Sequence, residues 1–136
     1  MDIYSLEFVL GGEDTEMRKI EEILTERGLT YTYAKKKDGT RVNRPEAYDT
    51  QLPKLRKEQV WVECRPSSFQ NTEMLSLGYT LIDHHNKGDI GYGRPATQYW
   101  EASSLGQVCN LIDEPRTKEL SMIAAADHCL QQAYNG

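Results

Sequence analysis

A chain of 136 residues fits one domain and is long enough to bury a core without disulfide or metal staples. Charged residues at 27% and hydrophobic ones at 38% are the balance of a soluble globular protein, and a formal net charge of −5 argues against a general nucleic-acid binder, whose footprint is usually basic. No apolar run approaches the roughly 20 residues of a membrane span, and the N-terminus lacks a signal-peptide pattern, so no membrane association and a cytoplasmic location are expected. Three cysteines, an odd number with no C-x-x-C pair, argue against a disulfide framework and a structural zinc site.

The first predicted element is a strand over "IYSLEFVL" (3–10). "DTEMRKIEEILTERG" (14–28) then places Met17, Ile20, Ile23 and Leu24 at helical spacing and stops at Gly28. "LTYTYAKK" (29–36), β-branched and aromatic, is a second strand. The segment "KKKDGTRVNR" (35–44) holds five of the sixteen Lys and Arg and has two readings: a solvated hairpin tip around Asp38-Gly39, or a mobile basic loop that meets an anionic substrate. After a turn-rich connection to residue 57, "QVWVEC" (59–64) reads as a short buried strand, "SSFQNTEMLSL" (67–77) as a helix and "YTLID" (79–83) as another strand. One helix is expected over 97–112, with Tyr99, Ala102, Leu105, Val108 or Cys109, and Ile112 on one face. A last helix over 115–134 opens with Pro115, a favoured first helical residue. Strands alternating with helices indicate an α/β fold, a mostly parallel central sheet flanked by helices. The chain reads as one domain over 1–136, and a final helix with nothing closing after it is the pattern of a piece of a longer protein.

In open parallel α/β sheets, ligands bind outside the carboxyl ends of the strands. Glu13, Asp14 and Glu16 follow the first strand, Glu63, Cys64 and Arg65 the third, and Asp83, His84 and His85 the fourth. The two glycines of "GGEDTE" (11–16) resemble a phosphate cradle at a helix N-terminus. Three carboxylates there would repel a bare phosphate, so the loop favours a site in which a cation intervenes. Asp14 is equally well placed as a helix N-cap. Asp127 falls within the stripe Leu120, Ile123, Asp127, Leu130 and Tyr134, where a carboxylate is costly unless paired, protonated or bound to a cation. The alternative is a helix turned so that Asp127 lies at the edge of the buried face.

With those residues laid out, the chain resembles the DHH phosphoesterase superfamily, which includes RecJ-type exonucleases, family II inorganic pyrophosphatases and phosphodiesterases of small nucleotides. "LIDHHN" (81–86) is similar to the family's third motif, "SMIAAADHC" (121–129) to its fourth, "FVLGGEDTE" (8–16) to its first, and "VWVEC" (60–64) holds the place of its second. The resemblance implies a DHH-domain-like three-layer sandwich with a two-metal site, Mn²⁺ or Mg²⁺. Its ligands would be Asp14, Glu16, Glu63, Asp83, His84 and Asp127. It implies catalytic roles for Asp83 and for His85 near the scissile phosphate. Arg94, just past the glycines of "KGDIGYGRP" and a further catalytic candidate, and Arg65 are the candidates for anchoring the phosphate through their guanidinium groups. The expected substrate is a phosphorylated small molecule or nucleotide, or a single-stranded nucleic acid, although the net charge does not point to the last. Glutamate stands at 16 and 63 where the family has aspartate, and Leu10 replaces the upstream histidine of pyrophosphatase-like members, departures that bear on one of the two metal positions. Active relatives carry a second, substrate-closing domain, which these 136 residues do not include. The rival expectation is a degenerate DHH-like domain that binds a nucleotide or a protein partner without catalysis.

Overall fold

Phe8, Val9 and Leu10 are apolar without a break, as suits a strand covered on both faces, and they form the buried part of β1 (Glu7–Leu10). The computed structural model describes residues 2–36, 38–43, 47, 58–65, 79–83 and 95–135. Within them β1, β2 (Thr30–Tyr33), β3 (Gln59–Val62) and β4 (Thr80–Ile82) make one all-parallel sheet in the order β2-β1-β3-β4. The chain divides into two compact units, Met1–Leu81 and Ile82–Gly136. No helix among the described residues is long and apolar enough to cross a membrane.

The expected first strand is half right. Ile3–Ser5 form a 3-10 turn instead, because the Asp2 carboxylate accepts the Tyr4 N–H at 3.0 Å and the Ser5 hydroxyl donates to the Asp2 carbonyl at 2.8 Å. Such local side-chain bonds compete directly with extended backbone, and Tyr4, 63% exposed, gains little burial to oppose them.

α1 (Thr15–Glu26) follows the expected helix closely, with Met17, Ile20, Ile23 and Leu24 buried. Its end is a Schellman cap: the Leu29 N–H reaches the Leu24 carbonyl at 2.9 Å and the Gly28 N–H the Thr25 carbonyl at 3.1 Å, with Gly28 at φ 68°. As the crossover from β1, the helix returns the chain so that β2 can pair parallel, Glu7 opposite Thr30 and Leu10 opposite Tyr33. On its other side β1 pairs with β3, Phe8 opposite Val60 and Leu10 opposite Val62. Because strand side chains alternate, Val9 and Trp61 share one face, where they pack with Ala34, Val42, Ala47 and Cys64.

β2 is the half-exposed edge strand. Its Tyr33 hydroxyl donates to the Glu21 carboxylate of α1. That hydrogen bond, helped by burial and by the Glu21 charge, pushes the phenol up to about 12. A phenol whose folded pKa is raised contributes stability that is fully present below its ordinary value near 10 and disappears as pH rises through about 12. Tyr33→Phe is therefore expected to lower the urea midpoint at about pH 9, with the gap to wild type closing toward about pH 12. A gap that stays constant across that window would mean that the Glu21 contact does not hold the proton.

After β2 the chain forms the expected hairpin tip. Lys35 bridges antiparallel to Arg41, and the Asp38 carboxylate accepts from the Thr40 N–H at 2.9 Å and the Thr40 hydroxyl at 2.6 Å. Those two bonds hold the exposed Asp38 carboxyl below its usual range. The helix expected over 67–77 lies outside the described residues.

In the second unit the helix expected over 97–112 is broken. A 3-10 turn at Ala96–Gln98 leads into α2 (Tyr99–Ala102), and α3 (Ser104–Ile112) starts afresh. Between them Ser103 is extended (φ −64°, ψ 150°), and its hydroxyl caps α3 by accepting the Gly106 N–H at 3.0 Å. The expected face survives the break, with Ala102, Leu105, Val108, Cys109 and Ile112 all buried. The last helix, α4 (Lys118–Asn135), begins later than Pro115 suggested. Thr117 sets the start: its hydroxyl accepts the Leu120 N–H at 3.2 Å and its carbonyl the Ser121 N–H at 2.9 Å. Just before it, the Arg116 guanidinium lies over the Tyr99 and Trp100 rings and donates to the Tyr99 hydroxyl at 2.7 Å, which holds residues 114–117 out of helical geometry.

Candidate metal site

The strand order puts a topological switch point between β1 and β3. From β1 the chain leaves toward β2, whereas from β3 the next strand, β4, lies on the opposite side. In open α/β sheets, ligands bind at the carboxyl ends of the strands where two connections depart in opposite directions. The two segments there are Gly11–Glu16 after β1 and Glu63–Arg65 after β3.

These segments touch through their backbones. The Gly11 N–H extends the ladder by one bond, donating to the Val62 carbonyl at 3.0 Å. A Cβ on Gly11 would lie 2.4 Å from the Glu63 carbonyl oxygen, so only glycine fits. Glu63 itself is left-handed, at φ 54°, a conformation that costs a non-glycine residue roughly 1–2 kcal/mol. Non-glycine residues held there cluster at functional sites.

The side chains converge as well. Glu16, in the first turn of α1, is 1% exposed and Glu63 is 6% exposed, and their carboxylate oxygens lie within 4.8 Å of each other. Two ionised carboxylates at that separation repel by roughly 3–4 kcal/mol at an effective dielectric constant of about 20. A divalent cation or a shared proton relieves that repulsion. Carboxylate oxygens are hard donors of the kind that Mg²⁺ and Mn²⁺ take, so this donor set fits the cations expected from the sequence.

Asp14 is the N-cap of α1: its Oδ1 accepts the Met17 N–H at 2.8 Å. Its helix-capping role is thus present, and it sets the first turn of the helix, in which Glu16 is the second residue. Arg65 ends the second segment, half-buried, its backbone N–H donating to the Ala47 carbonyl at 2.9 Å. Asp83, 5% exposed, directly follows β4 and belongs to the second unit. Gln107 of α3 fixes its main chain, the Nε2 amide donating to the Asp83 carbonyl at 3.1 Å and to the Ala102 carbonyl at 2.8 Å. Asp127 is half-buried on α4, on the same helix as the buried Leu120 and Ala124. His84, His85 and Arg94 lie outside the described residues.

Arg41 was legible only as one cation of a basic segment. Its Nε and Nη2 both donate to the Gly11 carbonyl, at 3.2 and 3.0 Å, and its Nη1 lies 3.8 Å from Glu13. Nothing in the local sequence couples it to a loop 30 residues upstream. Gln107 gave no signal either, being one polar residue in an amphipathic helix. Comparison with family models, with curated proteins and with solved structures found no match to this chain.

Proposed function

We propose that the chain is a metal-dependent phosphoesterase domain acting on a phosphodiester or phosphoanhydride of a nucleotide or single-stranded nucleic acid. One observation carries the reading: a pair of buried glutamates, Glu16 and Glu63, meets at the switch point of a parallel sheet. We place the cation, Mn²⁺ or Mg²⁺, on those first-unit residues. When bound, such a cation polarises a phosphoryl oxygen and makes water a better nucleophile at neutral pH.

The chain's own residues supply position. The switch-point crevice is where a substrate enters, the α1 N-terminus directs backbone N–H groups toward an anion, and the Asp14 cap keeps that first turn from fraying. His85 beside the scissile phosphate is a role proposed from the DHH resemblance alone, and Arg65 and Arg94 are proposed on its oxygens because guanidinium groups suit a phosphate.

Titration calorimetry with Mn²⁺, followed by hydrolysis of a generic phosphodiester reporter with and without Mn²⁺, tests the proposal. Saturable binding and Mn²⁺-dependent turnover are expected. Binding without turnover would favour the degenerate domain that binds a nucleotide or a protein partner, and no binding at millimolar Mn²⁺ would end the catalytic reading.

A further inference from the structure

We infer that Arg41 is the positioning residue of the Glu16–Glu63 site, an assignment that rests on the function proposed above. The Gly11 carbonyl lies just beyond the β1–β2 ladder, whose last bond is the Ala34 N–H to the Leu10 carbonyl at 2.8 Å. Arg41 takes up that carbonyl with two N–H groups of one guanidinium. The same residue is fixed from three other directions. It bridges to Lys35, its guanidinium stacks 4.0 Å above the Tyr33 ring, and it faces Glu13, which also pairs with Arg18 at 3.2 Å. The Arg41 side chain is only 24% exposed, so this member of the basic segment is turned inward and holds its own protein.

What it holds is a stretch of backbone pressed against Glu63. Gly11 meets the Glu63 carbonyl closely on one side and is gripped by Arg41 through its own carbonyl. From Gly11 the chain needs only Gly12 and Glu13 to reach the Asp14 cap and the first turn that carries Glu16. Arg41 thereby sets where α1 starts relative to the left-handed Glu63, and with it the spacing of the two carboxylates. A planar fork makes this contact and a lysine cannot reproduce it.

Geometry and charge predict opposite signs. Removing a cation from the neighbourhood of a metal site tightens metal binding by simple Coulomb attraction, whereas loosening the loop weakens it. Mn²⁺ affinity is read from the electron paramagnetic resonance signal of free Mn²⁺ for the 136-residue wild type, Arg41→Lys and Arg41→Met. Leu29→Ala, at a buried position outside the crevice segments, is the destabilised control, and urea midpoints are measured for all four. Arg41→Lys and Arg41→Met are expected to bind Mn²⁺ 10–100-fold more weakly, the usual effect of losing a residue that orients a ligand. Leu29→Ala should bind as wild type does despite its lower midpoint. Wild-type affinity in Arg41→Lys, or tighter binding in Arg41→Met, overturns the assignment while leaving the metal site standing. A wild type that binds no Mn²⁺ removes the site, and the assignment with it.

Discussion

Glu63→Asn is expected to yield a folded protein that no longer responds to Mn²⁺. Asparagine enters the left-handed region more readily than glutamate does, so the turn at φ 54° survives the substitution. The shortened, uncharged amide no longer offers the second anionic oxygen within 4.8 Å of Glu16. Ligand linkage sets the size of the effect. A cation at 100 times its dissociation constant stabilises the folded state by about 2.7 kcal/mol. For a chain of this length that is a rise of roughly 10 °C in melting temperature, and Glu63→Asn should lose all of it. Glu16→Gln keeps the shape of the first-turn side chain and removes only its charge; it should weaken Mn²⁺ by roughly 100-fold, a loss of about 2.7 kcal/mol, comparable to the repulsion that the cation offsets. A melting temperature that still climbs with Mn²⁺ in both variants would show that the cation sits elsewhere.

Gly106→Ala should be among the most destabilising single methyl additions in the second unit. Helix propensity alone predicts the reverse, since alanine is favoured over glycine inside a helix by about 1 kcal/mol. Packing decides the sign. A Cβ at Gly106 would stand 1.6 Å from the Trp100 carbonyl oxygen and 2.7 Å from its carbon, and these are backbone atoms that no rotamer change can move. The α2–α3 junction would have to open, pulling the Gly106 N–H from the Ser103 hydroxyl that caps α3. Overpacking typically costs about 1–3 kcal/mol, and a clash with rigid backbone belongs at the upper end of that range. Gly28→Ala is the comparison: nothing lies within 4 Å of its Cβ, so only the left-handed backbone at φ 68° opposes it, at about 1–2 kcal/mol. Equal urea midpoints for these two variants would contradict the close approach at Trp100.

The parallel sheet was legible because β1 and β3 carry short apolar runs, β2 is β-branched and aromatic, and the first crossover keeps a clear helical period. Candidate ligands were legible by residue type at strand ends. The broken helix was not, because Ala102, Leu105, Val108 and Ile112 keep helical spacing straight through Ser103, so periodicity carries no sign of the interruption. The late start of α4 escaped for a related reason. Pro115 is a permissive first residue in isolation, but Arg116 stacked on Tyr99 and Trp100 holds that stretch in another conformation, and the Thr117 cap takes over.

The amino-acid order by itself determined the α/β class, the helix that follows the first strand and the chemical type of the residues at the strand ends, because hydrophobic period and capping act over a few neighbouring residues. Only the tertiary structure decided which carboxylates meet. Glu16 and Glu63 are 47 positions apart in the chain and become neighbours through the pairing of β1 with β3, the left-handed turn at Glu63 and the fit of Gly11 against it. The partnership of Arg41 with the Gly11 carbonyl was settled at the same level, by strand order and backbone contact, which local sequence does not encode.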